Sequence, residues 1–168
     1  MRKFAMLGLA MLLTVSYLAA QTKPAAGGNM VNVMWKCGKP NPVNMIPVPG
    51  STTHAFGVQQ VACTATTGEI GGVKEKEGTA VEVLEANGDS SKGHGAFVET
   101  LTNGDKINYT YTFTGTGKNN MMVSGNNAWQ ITGGTGKFKG ITGKGTCTGK
   151  GNPDGSADFT CTGTYAMK

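Results

Sequence analysis

The chain has 168 residues, 27 of them glycine and only 15% charged. That is room for one domain, with about twice the usual glycine and well under the ordinary charged share of about a quarter. The net charge is +5, falling to +3 once Arg2 and Lys3 leave with a cleaved leader, too mild to imply nucleic acid or an anionic membrane as partner. The glycines separate short β-branched and aromatic runs, which reads as an all-β domain with many turns and not as disorder.

Arg2 and Lys3 precede an apolar run from Phe4 to Leu18, and Ala19-Ala20 stand before Gln21. This is the pattern of an export signal over residues 1–20, with Leu18 an imperfect fit at the −3 position. The alternative, an uncleaved anchor, meets a run of about 15 residues where a spanning helix needs about 20. No Cys directly follows the run, which argues against a lipid anchor. The expected location is secreted or periplasmic, with no membrane contact after cleavage.

Residues 21–30 read as a flexible leader. Residues 31–53 read as a strand, Val31–Cys37, plus a proline-rich arm. Pro40, Pro42, Pro47 and Pro49 exclude helix and central strand there. The barrel domain is expected over 54–168. Ala55–Thr66 is a strand, and Gly68–Gly78 a polar loop whose Lys74-Glu75-Lys76-Glu77 alternation reads as solvated surface. Thr79–Ala86 is a strand with Thr79, Val81 and Val83 on one face, turning at Asn87-Gly88-Asp89.

Gly95–Thr102 and Asp105–Gly115 flank Asn103-Gly104, a strong two-residue hairpin signal. That turn sets Thr100 opposite Ile107, Val98 opposite Tyr109 and Ala96 opposite Tyr111. The core face then carries Ala96, Val98, Ile107, Tyr109, Tyr111 and Phe113, and the wet face carries Glu99. Met121–Ser124 and Ala128–Thr132 read as a further hairpin across Gly125-Asn126-Asn127. Phe138–Thr142, Gly145–Thr148 and Asp158–Tyr165 complete the sheet. About eight strands and no helix after the signal predict a closed antiparallel up-and-down β-barrel; a two-sheet sandwich is the alternative.

Four cysteines in an exported chain read as two disulfides. Asn152-Pro153-Asp154-Gly155 is a turn midway between Cys147 and Cys161, so folding back about it sets that pair face to face. Cys37–Cys63 follows by elimination. Metal ligation is the competing use, but no Cys-x-x-Cys occurs and His54 and His94 have no ligand spacing. No metal or cofactor is expected.

The segment Gly133-Gly134-Thr135-Gly136-Lys137-Phe138-Lys139-Gly140 resembles the Gly-Gly-Thr-Gly-x-Phe-x-Gly segment of the allene oxide cyclase and dirigent-type barrels. It resembles still more the small exported bacterial proteins of that barrel, where an Asn-Gly-Asp-Lys hairpin, here Asn103–Lys106, precedes it. The resemblance covers about residues 54–168 and implies the barrel. It carries over no catalytic residue, since no motif here matches the acids of those pockets.

The glycine-rich segment is no phosphate loop, because no Gly-x-x-x-x-Gly-Lys-Ser/Thr occurs and strand follows it. Lys137, Lys139, Lys144 and Lys150 read as a solvated outer face flanking an inward Phe138. The sequon Asn108-Tyr109-Thr110 falls mid-strand. Tyr109, Tyr111 and Trp129 are the candidate ligand-binding residues, since alternation turns both tyrosines inward and a barrel of this size has room for side chains or one small ligand. The functions weighed are an exported, monomeric, non-enzymatic barrel binding a small apolar molecule, a cyclase or isomerase holding a reactive substrate in one shape, and an envelope interaction protein using the proline-rich arm.

Overall fold

In a computed structural model, residues 29–119 and 121–168 are described. The expected signal and residues 21–28 of the leader lie outside the described residues. The strands are β1 (Asn29–Cys37), β2 (Val43–Pro47), β3 (His54–Thr67), β4 (Glu69–Ile70), β5 (Val73–Asn87), β6 (Ser90–Leu101), β7 (Lys106–Lys118), β8 (Met121–Gly134), β9 (Thr142–Gly151) and β10 (Ala157–Ala166). A single 3-10 turn, Gly136–Phe138, interrupts them, and no α-helix occurs among the described residues. Eight strands form one antiparallel ring in the order β1-β10-β9-β8-β7-β6-β5-β3, and β3 closes it by pairing with β1. The fold is therefore the barrel and not the sandwich. Closure leaves no free edge around the ring, which is how a glycine-rich, helix-free chain avoids edge-to-edge pairing.

β2 and β4 lie outside the ring, β2 along the upper part of β3 and β4 on the start of β5. The proline-rich arm thus supplies an edge strand, the one sheet position that prolines tolerate. Both expected disulfides are formed, Cys37–Cys63 across β1 and β3 and Cys147–Cys161 across β9 and β10. In each pair the two cysteines are direct register partners. Replacing both Cys147 and Cys161 by alanine opens a loop of 14 residues. A loss of about 3 kcal/mol is expected in urea unfolding, from the entropy returned to the unfolded chain.

Four expectations about local structure are corrected. The polar loop over Gly68–Gly78 is instead the short strand β4 followed by the first residues of β5. The β6–β7 hairpin is one residue out of the expected register: Thr100 faces Lys106, Glu99 faces Ile107 and Phe97 faces Tyr109. The cause is the turn. Gly104 at φ +86 donates to the Leu101 carbonyl, and Leu101 donates to Asp105, giving a three-residue loop in place of a two-residue one. One extra residue flips every β6 side chain, so Ala96 and Val98 face outward while Phe97 and Glu99 face the core.

The expected turn at Gly125-Asn126-Asn127 is the middle of a continuous β8, where those residues pair with β7 and β9. Lys118 pairs with Met121 across Asn119, whose φ is +53. Phe138 belongs to the 3-10 turn, not to a strand, so Lys137 and Lys139 share no strand face. Phe138 is fully buried all the same, as are Ile70, Leu101, Ile107 and Ile141 in the same core cluster.

Inward positions alternate large rings with glycines. Trp129 on β8 lies against Gly145 on β9 and Gly163 on β10, where a Cβ would stand 2.2 and 2.5 Å from the indole. The glycines are thus the counterpart of the rings. A barrel of eight strands has an interior just wide enough for packed side chains or one small ligand, and where it is packed, rings this size need neighbours with no side chain.

Candidate functional site

Glu75 on β5 and Glu99 on β6 point into the barrel, 7% and 0% exposed. A bulge between Glu75 and Glu77 aims Glu75 inward while Lys76 and Glu77 both face solvent. Regular alternation would have put both glutamates on one face. Gly68, at φ +138, makes the space for the carboxyl: a Cβ there would lie 2.2 Å from Glu75 Oε2 and 2.7 Å from Val33. Glu99 takes its position from the corrected register, between Phe97 and Leu101 on the inner face of β6.

The Tyr109 hydroxyl donates to Glu99 Oε2 at 2.6 Å. Glu75 Oε2 and Glu99 Oε1 are buried without a hydrogen-bond partner among the described residues. Burial pushes the Glu75 carboxyl up to about 9, with repulsion from Glu99 adding to it. Burial also raises Glu99, to about 7, against the opposing hydrogen bond from Tyr109. The Tyr109 phenol is held well above its ordinary value by burial and then by the charge of Glu99. At neutral pH the pair therefore contains one carboxyl that keeps its proton and one near its midpoint. Two coupled groups in this state can donate and accept protons side by side.

Glu75 also forms part of the wall of an open cleft of about 510 Å³, lined further by Ala65, Thr66, Thr67, Gly68, Glu69 and Lys74. The cleft lies where β3 passes through β4 into β5. A third acid, Glu82, faces the interior farther along β5 and accepts from Tyr111 Oη at 2.6 Å and from Gln59 Nε2 at 2.5 Å. Every lysine among the described residues is exposed. The barrel thus carries acids inside and bases outside.

The expected ligand-binding residues are brought together. Tyr109 meets Trp129 edge to face at 5.8 Å, and Tyr111 is the register partner of Trp129. The row continues through Phe97, 5.9 Å from Tyr109, to Trp35, 5.2 Å from Phe97. These rings pack on one another, and both tyrosine hydroxyls are engaged by glutamates. Trp129 Nε1 is buried without a partner. At this wall an open depression of about 710 Å³ is lined by Tyr111 and Trp129 together with His94, Thr110, Gln130 and Lys144, among others.

The remaining imidazole, His54, stands 2.9 Å from Glu85, which also meets Lys92 at 3.0 Å. Lys137 donates to the Gly71 carbonyl. No group of three or more His, Cys, Asp or Glu able to hold a metal ion occurs among the described residues.

Sequence reasoning missed Glu75, Glu82 and Glu99. A signal for Glu99 was present: Gly95, Phe97, Glu99 and Leu101 share one parity, and the two large apolar residues flanking Glu99 outweigh Ala96 and Val98 on the other. Nothing in Lys74-Glu75-Lys76-Glu77 marks the bulge.

Fold and site together define a closed antiparallel barrel, oxidised at two cysteine pairs, whose interior is aromatic and acidic. No family model matches the chain, and comparison with curated proteins returns no match.

Proposed function

We propose that this is an extracytoplasmic binding protein whose barrel takes up a small molecule at the Glu75–Glu99–Tyr109 end, entering by the β3–β4–β5 cleft. The observation that carries the reading is the pair of buried carboxyl oxygens with no partner, on two acids of which Glu75 also lines an open cleft. A buried unpaired polar atom costs about 1–3 kcal/mol, more if charged, and two such atoms on neighbouring acids are what a binding site leaves free for its ligand. Two disulfides are compatible with an oxidising extracellular or periplasmic compartment. Tyr109 and Trp129 supply the apolar side of the site.

A second reading, a cyclase or isomerase, draws on the same pair. A protonated carboxyl beside one near its midpoint is an acid–base couple, and such a reaction needs little else beyond a shaped wall. Protein purified from its own host and sprayed under native conditions is expected to carry a small-molecule mass that Glu99→Gln loses. A bare mass, together with no thermal shift from any member of a broad metabolite library, would remove the binding reading.

A further inference from the structure

We infer that the site at Glu75 and Glu99 takes a small organic cation, a protonated amine, whose N–H groups bond the two partnerless carboxyl oxygens. The inference rests on the binding reading above and names its ligand class. Three observations carry it. Glu75 Oε2 and Glu99 Oε1 are buried with no hydrogen-bond partner among the described residues. The interior holds Glu75, Glu82 and Glu99 while every described lysine is exposed, so nothing basic inside answers these acids. Of the interior aromatics, Tyr109 is hydrogen-bonded to Glu99 and Phe97 packs on Tyr109. Aromatic faces beside carboxylates are the chemistry that recognises an ammonium group.

The alternative occupant is a proton. The two are thermodynamically linked, because an arriving cation must displace whatever proton the pair still holds. The groups facing the pair are few. Tyr109 comes from β7, while Glu69 and Lys74 stand at the cleft rim, and the packed residues of β1 and β3 there, Val33 and Ala65, do not ionise. Raised carboxyl values then mean that amine binding strengthens as pH rises from about 6 to 8. Each proton released contributes up to about tenfold per pH unit.

The test is titration of the exported, disulfide-bonded protein with methylammonium and butylammonium chloride at pH 6, 7 and 8. Sodium chloride at equal ionic strength and butanol are the controls. Both tryptophans, Trp35 and Trp129, lie in the interior row, so their fluorescence reports occupancy. Saturable binding is expected, tightening at least fivefold per pH unit, with heats that depend on buffer ionisation because a proton leaves. Glu75→Gln and Glu99→Gln should each weaken binding at least tenfold, while Asp89→Asn, on the turn between β5 and β6 and outside the cleft, should change it less than threefold. Equal binding of butanol, unchanged binding by both interior variants, or no saturation at any pH would each overturn the cation assignment. A neutral molecule recovered by native mass spectrometry would sink the cation class while leaving the binding reading intact.

Discussion

Raising the pH from about 5 to 8 is expected to destabilise this barrel, and Glu75→Gln is expected to abolish most of the loss. The sign follows from where the protons sit. In the unfolded chain both glutamates ionise near 4.5; in the barrel Glu75 is pushed up to about 9 and Glu99 to about 7. Over the interval between those values the folded state binds more protons than the unfolded state. Stability therefore falls with pH, by up to about 1.4 kcal/mol per unit for each proton held. The loss begins above the unfolded value, slows near 7 as Glu99 ionises, and is complete near 9. Two protons held from pH 5 to 7 and one from 7 to 8 set an upper bound of roughly 6 kcal/mol on the drop between pH 5 and 8, the larger share from Glu75. Glutamine keeps the shape and never ionises, so the variant should match the parent at pH 5 and exceed it at pH 8.

Glu85 and Asp154 work in the opposite sense. Hydrogen bonds from Lys92 and Ser156 respectively hold them below the usual carboxylate range, so their contribution is lost as pH falls through their folded values. The maximum of stability should then lie in mild acid. Thermal melts of both proteins from pH 3 to 9 check this. A parent curve that rises from pH 5 to 8 would show that the pair is solvated.

The barrel was legible because closure needs little information. Strands of alternating parity, turn residues between them and no helix to cover a face leave few architectures. The Cys147–Cys161 pair was legible for a local reason, a strong turn at equal distance from both. What the sequence hid were changes of phase. A three-residue loop at Thr102–Gly104, a bulge after Glu75 and a strand running straight through Gly125-Asn126-Asn127 each depend on pairing with a neighbour, not on local preference. Glu75 and Glu99 sit at two of those phase changes, which is why Tyr109 was found and the acid it bonds was not. A hairpin reading one residue out turned Glu99 to solvent and with it the whole chemistry of the interior.

The glycine-rich β9 makes the sharpest claim about packing. Gly145→Ala is expected to cost at least about 3 kcal/mol, far above the helix-type penalty or benefit of an ordinary glycine replacement. The added methyl would lie 2.1 Å from the Thr162 carbonyl oxygen and 2.2 Å from the Trp129 indole. Neither neighbour has freedom to yield. The carbonyl is on β10 next to Cys161, in the β9–β10 ladder that the Cys147–Cys161 bond fastens, and the indole is held between Gly145, Gly163 and the ring of Tyr109. Gly133→Ala is the matched control: a Cβ there meets nothing within 4 Å, so a change within about 0.5 kcal/mol is expected. If the sheet relieved the clash by bulging outward, Trp129 would gain water and its emission would shift to the red at a smaller cost in stability. If instead both variants unfold at the parent's urea midpoint, the indole does not rest on the β9–β10 wall, and the glycines of this strand serve flexibility and not close contact.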